Sequence, residues 1–429
     1  MKSSIDTLTA LEIKTYQEQK LQEQLSYTVR HSPFYQKLFK KHDLEVSDIR
    51  QLEDLQRIPP TTKEDLQDHN NDFLCVPREK IIDYVTTSGT SGKPVTMALT
   101  DNDLERLSYN EALSFSCAGV SPQDILQLTT TIDRRFMAGL AYFLGARKLG
   151  AGIVRVGPGL PELQWDSILK FKPTYLIAVP SFLLKLIAYA EAHQIDYRAQ
   201  GIKGIICIGE AIRIPDFSLN TLGQNIANKW EDVNLYTTYA STEMSTAFTE
   251  CEAKQGGHHL PELIIAEILD KENNSVAAGQ QGELTITTLG VEGMPLLRFK
   301  TGDIVQAHTE PCSCGRTTMR LGPVIGRTNQ MIKYKGTTLY PPALVDILND
   351  FPQIKSYVIE LSHDSCGLDD ICIKMEAQVS DELMEGIKDH FRTKLRVVPN
   401  IEFTDQHTIE ALKSQKMSRK PVTVIDHRN

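Results

Sequence analysis

Short apolar runs alternate with amphipathic segments through the middle of the chain, and this alternation limits the fold more than any other feature of the sequence. One intervening segment, residues 182–192, has the apolar spacing of a helix. Strands separated by helices form βαβ units, in which helices cover the faces of a sheet. We therefore predict an α/β fold with helix-covered β-sheets. The predicted strands lie at residues 81–87, 153–156, 175–179, 205–208 and 235–239.

The chain has 429 residues, more than one hydrophobic core usually supports, so we expect a large domain and a small one. The first 80 residues have the pattern of short polar helices that wrap the large domain. At about residues 250–325 the pattern changes to strands and turns, which predicts a β subdomain. The residues that follow have β, α, β, β, α character and predict a small α+β domain. We place the two domains at residues 1–326 and 327–429.

Charge and composition exclude several classes of function. The chain has a net charge of -9 and no long block of basic residues, so we expect neither nucleic acid nor an anionic membrane as a partner. We also expect no export signal and no transmembrane helix, and hence a cytoplasmic protein. In a reducing compartment, the eight cysteines would serve as core residues, metal ligands or nucleophiles rather than as disulfides.

A loop rich in hydroxyl groups and glycine follows the first predicted strand. Residues 86–94 read T-T-S-G-T-S-G-K-P. Small residues let backbone N–H groups approach an anion, hydroxyls donate further hydrogen bonds, and Lys93 adds a positive charge. The spacing differs from that of a Walker A loop. The loop predicts a phosphate site, although loops of this composition also occur as plain surface turns.

Three further segments carry polar groups suited to a nucleotide. Residues 236–243 read Y-T-T-Y-A-S-T-E, in which Glu243 can reach phosphates through Mg²⁺ and Tyr239 can stack on a base. Asp303 follows a tight turn and can accept both hydroxyls of a ribose. Residues 326–336 read G-R-T-N-Q-M-I-K-Y-K-G. Each of the last two segments alone is weak evidence, since an Asp in a turn is often structural.

Taken in this order, the four segments resemble the adenylate-forming superfamily of acyl-CoA synthetases, luciferases and adenylation domains. The runs H-S-P-F-Y at residues 31–35 and I-P-P-T-T-K-E-D-L at residues 58–66 are similar to the phenylacetate-CoA ligase family within it. The resemblance covers nearly the whole chain. It implies a large domain that binds nucleotide and carboxylate, and a mobile C-terminal lid joined near residues 327–329.

The resemblance also implies an activity. The enzyme would use ATP to adenylate an aryl or arylalkyl carboxylic acid and would transfer the acyl group to coenzyme A, releasing AMP and pyrophosphate. An acyl carrier protein is an alternative acceptor, because its phosphopantetheine arm presents the same thiol. A nucleotide-binding regulator without turnover is the alternative from another class. We also allow for a homodimer.

Roles for single residues follow from the resemblance. Lys93, Glu243 and Lys420 would be catalytic, the second by binding Mg²⁺ and the third in adenylation, with Lys416 as its rival. Asp303 would bind the ribose. The other residues implied in binding ATP, AMP or coenzyme A are Thr87, Ser88, Gly89, Thr90, Ser91, Gly92, Gly209, Glu210, Ala211, Tyr239, Ala240, Ser241, Thr242, Arg327, Lys333, Lys335 and Gly336.

The carboxylate pocket is assigned by position to the segment T-I-D-R-R-F-M-A-G at residues 131–139. Arg134 or Arg135 could pair with a polar group of the acid, although an Arg beside Asp133 is more often part of an ion pair within the protein. The residues implied in binding the acid are Arg135, Phe136, Ala138 and Gly139.

A separate pattern predicts a structural zinc site. Cys251, His258, Cys312 and Cys314 supply three thiolates and one imidazole, a tetrahedral ligand set that zinc favours, and some phenylacetate-CoA ligase relatives share the pattern. His259 is the fallback for the histidine. The alternative is that these are reduced core cysteines, which fits the polar C-S-C-G turn at residues 312–315 poorly.

Overall fold

The computed structural model of the chain describes residues 3–87, 94–364, 367–378, 380–414 and 422–428. The chain forms two compact units. Among the described residues, the first unit holds residues 3–87, 94–301 and 305–324, and the second holds residues 302–304 and 325–428. Strands and helices alternate through the first unit, which confirms the predicted α/β fold.

The first unit contains eight helices and thirteen strands in its described part. Its helices are α1 (Ala10–His31), α2 (Pro33–Lys41), α3 (Lys63–Asp68), α4 (Asp101–Cys117), α5 (Met137–Leu149), α6 (Pro161–Phe171), α7 (Pro180–Ala192) and α8 (Thr221–Lys229). Its strands are β1 (Ile81–Thr86), β2 (Thr96–Thr100), β3 (Ile125–Leu128), β4 (Gly152–Arg155), β5 (Tyr175–Ala178), β6 (Gly204–Ile208), β7 (Asn234–Ser241), β8 (Thr246–Glu250), β9 (Gly257–His258), β10 (Ile264–Leu269), β11 (Gln281–Thr288), β12 (Phe299–His308) and β13 (Arg320–Leu321).

Five parallel strands form one half of the main sheet. They lie in the order β7-β6-β5-β3-β4, and each pairs with its neighbour in parallel register. Strand β8 pairs antiparallel with β7. Beyond β8 the sheet continues in the order β9, β13 and β12, and each of these pairs is antiparallel. A parallel sheet flanked by helices is the arrangement that the alternating sequence pattern predicts.

The central parallel strands β5 and β6 are buried on both faces. Along β6, Ile205 and Cys207 pack with Trp165 of α6 in one hydrophobic cluster, whereas Ile206 packs with Phe115 of α4 in another. Successive side chains of a strand point to opposite faces, so an unbroken apolar run serves two cores at once. Helices α6, α7 and α8 therefore cover one face, and α4 and α5 cover the other.

The second unit has its own core and a four-stranded sheet. Strand order is β19-β18-β17-β20, with β17 and β18 antiparallel. Two helices pack their buried apolar residues against the sheet. Its elements are β14 (Gly326–Arg327), β15 (Ile332–Tyr334), β16 (Thr337–Leu339), α9 (Pro341–Asn349), β17 (Ser356–His363), β18 (Asp369–Glu376), α10 (Asp381–Leu395), β19 (Asn400–Phe403), α11 (Gln406–Lys413) and β20 (Val424–Asp426).

The tight hairpin between β15 and β16 is set by two residues. Tyr334 pairs with Thr337, which leaves Lys335 and Gly336 as the connection. Both have positive φ, 48° and 80°. Two-residue hairpins favour this left-handed geometry, and glycine adopts it without strain. Among the described residues, no helix is both long enough and apolar enough to cross a membrane.

A buried carboxyl group lies where α4 and α5 make close contact. A Cβ added to Gly145 of α5 would fall 2.3 Å from the Cβ of Glu111, so only glycine allows this approach. Burial raises the pKa of Glu111 from 4.5 to about 8, against a smaller opposing effect of the Asn110 amide, which lies 3.0 Å from its carboxyl oxygen. Glu111 therefore carries a proton at neutral pH in the folded protein.

This raised pKa predicts a pH-dependent effect of Glu111→Gln. The folded state holds the proton to higher pH than the unfolded state, so the stability linked to Glu111 is present below pH 4.5 and is lost as pH rises toward 8. Glutamine cannot ionise, so the variant should gain stability relative to the parent as pH rises from 5 to 8. The gain should be a few kcal/mol at most, because each unit of pKa shift corresponds to about 1.4 kcal/mol. Thermal melts across this range measure it.

The matched control is Glu105→Gln, which removes a carboxylate from the same helix. Glu105 is exposed and pairs with Lys148 at 3.0 Å. This variant should track the parent or lose slight stability at neutral pH. A Glu111→Gln variant with the same pH dependence as the parent would contradict the buried protonated carboxyl.

Candidate functional site

Three of the predicted segments leave the same edge of the parallel sheet. Residues 131–139 follow β3, residues 209–211 follow β6, and residues 239–243 end β7. Because these strands are parallel neighbours in the order β7-β6-β5-β3, their carboxyl ends point the same way. Ligands of open α/β sheets bind outside this edge. The edge is therefore the candidate site of the first unit.

Glu243 lies in the turn between β7 and β8 and is largely buried, with 8% of its surface exposed. The Nζ of Lys63 lies 3.9 Å from its Oε1, and that lysine side chain is 24% exposed. The sequence offered a signal for Lys63, because the run at residues 58–66 contributed to the family resemblance, but no role was assigned to it. The structure thus adds a cation to the predicted acidic group.

Rigid backbone contacts hold Lys63 in this position. Thr61, two residues earlier, donates its N–H to the carbonyl of Arg298 and accepts from the N–H of Lys300, both at 2.9 Å. Helix α3 begins at Lys63 and is capped by Thr62, whose hydroxyl accepts the N–H of Asp65. A side chain on the first turn of a well-capped helix has a well-defined origin. The lysine is therefore presented to Glu243 by fixed backbone.

The turn after Glu243 is fastened to α4 by a buried arginine. Arg106 donates to the carbonyls of Ser245 at 2.7 Å, Leu289 at 2.7 Å and Leu263 at 2.5 Å, and to the Thr246 hydroxyl at 3.1 Å. Ser245 has a φ of 49°, a conformation that costs energy for a residue other than glycine. The guanidinium contacts compensate this cost and fix the path of the chain next to Glu243.

The segment Gly209, Glu210 and Ala211 turns sharply after β6. Gly209 has a φ of 73°, which favours glycine at this position. The Glu210 carboxylate accepts from the N–H of Ser181 at 2.8 Å and from its hydroxyl at 2.9 Å. Ser181 lies in the first turn of α7, where a negative charge is stabilised by the helix dipole. The Glu210 side chain therefore holds the segment against the first turn of α7.

Tyr239 and its neighbours end strand β7. Tyr239 is half-buried and lies opposite Phe248 of β8, with 6.2 Å between ring centroids. Ala240 is exposed, whereas Ser241 and Thr242 are half-buried. An aromatic ring that is packed on one side and accessible on the other is suited to stacking.

The segment assigned to the acid is held firmly but presents exposed arginines. A Cβ on Gly139 would fall 2.0 Å from the carbonyl of Thr131, so glycine is required there. Arg134 and Arg135 have positive φ, 57° and 59°, and both are exposed. The Arg135 carbonyl accepts the N–H of Thr86 at 3.0 Å. Phe136 and Ala138 are half-buried.

The pairing of Arg134 with Asp133 is loose. Their closest atoms are 3.9 Å apart, and each side chain is 72% exposed. Ion pairs this exposed contribute little. Both arginines therefore remain able to meet an anion from solution.

The base of the predicted phosphate loop is closed by paired residues. Thr87 donates its N–H to the carbonyl of Val95 at 2.9 Å, and its hydroxyl accepts the Val95 N–H at 3.0 Å. The predicted residues Ser88, Gly89, Thr90, Ser91, Gly92, Lys93, Lys416 and Lys420 lie outside the described residues.

The remaining predicted residues lie in the second unit, which includes residues 302–304 of β12. Asp303 is buried and lies opposite Arg327 in the β12–β14 pairing, where the Arg327 Nε donates to its carboxylate at 2.9 Å. Lys333 donates its backbone N–H to Asp369 at 2.7 Å. Lys335 reaches the carbonyl of Val398 at 3.2 Å, and Gly336 completes the hairpin turn.

Cys251, His258, Cys312 and Cys314 converge, with their ligand atoms all within 4.8 Å of one another. The Sγ atoms of Cys251 and Cys312 are 3.6 Å apart, and the Cys314 Sγ lies 3.5 Å from the His258 Nε2. Tetrahedral zinc with bonds of about 2.3 Å to sulfur and about 2.0 Å to nitrogen places two sulfurs about 3.8 Å apart and a sulfur and a nitrogen about 3.5 Å apart. These four residues therefore fit zinc.

The protonation of His258 and Cys314 also suits a metal, whereas burial raises the pKa of the Cys251 thiol. Burial, with two nearby arginines, lowers the pKa of His258 to about 3, so its ring is neutral. Its Nδ1 lies 3.1 Å from the Thr318 hydroxyl, which leaves Nε2 facing the thiols. Burial acts to raise the pKa of Cys314, but hydrogen bonds from Arg316 and the neighbouring thiols outweigh it and hold that pKa below its usual value. The fallback residue, His259, is instead engaged with the carbonyl of Ile264 at 2.6 Å.

Comparison with known proteins identifies relatives along most of the chain. Residues 16–293 match the family model described as AMP-binding enzyme. The phenylacetate-coenzyme A ligase of Thermus thermophilus is 31% identical over 418 residues, which cover 91% of this chain and 89% of that protein. The phenylacetate-coenzyme A ligase of Escherichia coli is 28% identical, covering 88% of this chain and 85% of that protein.

A solved structure has a similar fold. The 2-hydroxyisobutyryl-CoA ligase in its postadenylation state superposes with a TM-score of 0.84 at 23% identity, covering 99% of this chain and 91% of that chain. At this identity the likeness concerns the fold.

Proposed function

Because this chain belongs to the phenylacetate-CoA ligase family of AMP-binding enzymes, we propose that it activates an aromatic carboxylic acid. It is an AMP-forming acid–CoA ligase: it adenylates an acid with ATP and passes the acyl group to coenzyme A. The aromatic nature of the acid and the roles of single residues belong to the proposal. The similarity to phenylacetate-coenzyme A ligases supports an aromatic acid. The observation that supports the residue roles in the first unit is the gathering of three assigned segments at the carboxyl edge of one parallel sheet.

In the first half-reaction, a carboxylate oxygen of the acid attacks the α-phosphorus of ATP. The bond from that phosphorus to the bridging oxygen breaks, and pyrophosphate leaves with the electron pair. Little covalent chemistry falls to the protein, so positioning and fixed charge supply the catalysis. Lys93 and Lys420 would stabilise the charge on the phosphoryl oxygens. Tyr239 would stack on adenine, and Asp303 with Arg327 would bind the ribose.

Glu243 is the residue we assign to Mg²⁺. A buried carboxylate is a ligand that this ion prefers, and the bound ion would neutralise charge that grows on pyrophosphate. Lys63, 3.9 Å away, would hold the carboxylate in place when no nucleotide is bound.

In the second half-reaction, the thiol of coenzyme A attacks the carbonyl carbon of the acyl-adenylate, and AMP leaves. We propose that residues 327–429 act as the lid and that the hairpin residues Lys333, Lys335 and Gly336 enter the site for this step. The zinc site would be structural, because four protein ligands leave no open position for water.

Pyrophosphate release on a panel of carboxylic acids tests the function. We expect the enzyme to release pyrophosphate from ATP faster with phenylacetate than with cyclohexylacetate, its saturated counterpart. An aryl pocket distinguishes a flat ring from a puckered one. Thioester should form only when coenzyme A is present. Equal rates for the two acids would contradict an aromatic pocket. Transfer of the acyl group to a carrier protein but not to coenzyme A would favour the carrier protein as acceptor. Absence of pyrophosphate release with every acid would favour a nucleotide-binding regulator.

The second prediction concerns the adenylation lysine. Lys420→Ala should lower the rate of adenylate formation by about 10²–10³, the usual effect of losing one charge-stabilising group. It should leave thioester synthesis from supplied acyl-adenylate largely intact, because the lysine serves only the first step. Lys416→Ala is the matched control and should affect neither step. A reversed outcome would assign the role to Lys416, and equal loss of both steps would indicate misfolding.

The third prediction concerns Glu243→Gln. The amide retains the shape of the side chain but loses its charge, so the Mg²⁺ concentration that gives half the maximal rate with ATP should rise about 10-fold or more. AMP affinity, measured by calorimetry, should stay nearly unchanged. Glu283→Gln is the control, since Glu283 is a similarly buried carboxylate that pairs with Lys300 at 2.8 Å. Loss of AMP and ATP affinity to the same degree would remove the assignment to the metal.

The fourth prediction is that each chain binds one zinc ion. Cys314→Ser should remove the metal and lower the melting temperature, because several kcal/mol of binding free energy are lost from folding, on the order seen at structural sites. Cys372→Ser, which changes a half-buried thiol of the second unit, should keep full zinc content. Metal analysis of both variants measures this, and full zinc content in Cys314→Ser would refute the site.

A further inference from the structure

Two of the four zinc ligands lie on an irregular turn. Residues 312–318, here called the ligand turn, form no helix or strand. Within the turn, Cys312 donates its N–H to the carbonyl of Arg316, and Gly315 donates to the carbonyl of Cys312, both at 3.0 Å. These bonds close the turn on itself, and because it belongs to no helix or strand, its position in the unit depends on contacts with other segments.

The amino-terminal segment, residues 3–8, supplies such contacts. Thr317 of the ligand turn donates its N–H to the carbonyl of Asp6 at 2.8 Å and its hydroxyl to the carbonyl of Leu8 at 2.5 Å. Ile5 and Asp6 are buried, at 5% and 4% exposure. The segment is therefore packed against the turn by its backbone as well as by its side chains.

Arg316 joins the segment to a zinc ligand. Its Nε lies 3.2 Å from the Asp6 carboxylate, and its Nη1 lies 3.4 Å from the Cys314 sulfur. Both side chains of the Arg316–Asp6 pair are less than 10% exposed. Zinc with three thiolates and one neutral imidazole carries one net negative charge, which a buried guanidinium offsets. Asp6 in turn holds that guanidinium in place.

A small cavity of about 10 Å³ lies behind this arrangement. Its lining includes Asp6, Arg316, the ligand His258 and Ser114, and the Ser114 hydroxyl is buried with no hydrogen-bond partner among the described residues. This volume is about that of a single water site. The amino-terminal segment thus covers the zinc ligand His258 on the side of this cavity.

We propose that docking of the amino-terminal segment and binding of zinc are coupled, with Asp6 and Arg316 as positioning residues of the metal centre. The inference rests on the zinc site proposed above. The ligand turn is held by the metal at Cys312 and Cys314 and by the segment at Thr317, so each contact stabilises the turn for the other. Coupling between two binding events is reciprocal: the segment strengthens zinc binding, and zinc strengthens docking of the segment.

The first arm of the test measures zinc release to a chelator in excess. Residues that orient a metal ligand typically change metal affinity 10- to 100-fold, so Asp6→Asn should release zinc faster by about that factor. Asp48→Asn is the matched control, because it removes the same charge from another Asp–Arg pair of the first unit, that of Asp48 with Arg57 at 3.7 Å. Its release rate should equal that of the parent.

A second variant guards against misfolding of the first. Arg316→Lys keeps the positive charge but cannot contact Asp6 and Cys314 together, so its zinc release should also be faster than the parent rate. Release rates equal to the parent in both Asp6→Asn and Arg316→Lys would overturn the proposal.

The second arm measures hydrogen exchange on the full chain with and without zinc. Removing zinc should speed exchange at the amides of Asp6, Leu8 and Thr317, while amides of α7 should change far less. Unchanged exchange at residues 5–8 would overturn the coupling. A purified protein without zinc would overturn this inference together with the zinc site, and it would leave the acid–CoA ligase activity as it stands.

Discussion

Burial of the central parallel strands on both faces is the constraint on which the rest of the first unit depends. Every residue of β5 and β6 is buried between two layers of helices. A polar group placed on either face would lose its hydration without a partner, at a cost of about 1–3 kcal/mol or more. Side chains that have to meet a ligand are therefore better placed at the strand ends and in the loops that leave the sheet. The candidate site lies at the carboxyl edge because the parallel strands deliver several such loops there together.

Loops at a sheet edge need further fixing before they can position chemical groups, and buried arginines provide it. Arg106 and Arg213 each donate to backbone carbonyls on several segments, and Arg213 also pairs with Glu250 at 2.8 Å. A guanidinium has five donors in a planar fork, so one buried side chain can hold several segments. Its removal would leave those carbonyls unpaired inside the protein.

The fold was predictable because it depends on local patterns. The strand predicted at residues 205–208 is β6. A short apolar run between two helical segments is typical of a buried strand. Cys312 and Cys314 were identifiable because a polar C-S-C-G turn is poorly suited to a core, and the pattern shared with some relatives added Cys251 and His258. The structure brings them together although Cys251 and Cys312 are 61 positions apart.

Other parts of the site could not be predicted because they depend on long-range packing. Arg316 and Asp6 are separated by 310 positions, and no periodicity relates residues so distant. Lys63 belongs to a run that stood out in the sequence, but its position beside Glu243 depends on the pairing of Thr61 with Arg298 and Lys300. A sequence pattern can indicate that a residue matters without indicating which partner it meets.

Strand β8 joins the candidate site at the sheet edge to the proposed zinc site, and it is fixed at both ends. Arg106 binds the Thr246 hydroxyl where the strand begins, and Glu250 accepts from Arg213 and from the Thr237 N–H where it ends, beside Cys251. A slip of one residue would turn Phe248 away from Tyr239 and detach Glu250 from Arg213. These contacts therefore allow only the observed register of β7 against β8. A metal bound at Cys251 would secure the same register that positions Tyr239 and Glu243. The proposed structural ion would therefore act on the candidate site through the β7–β8 pairing, without direct contact.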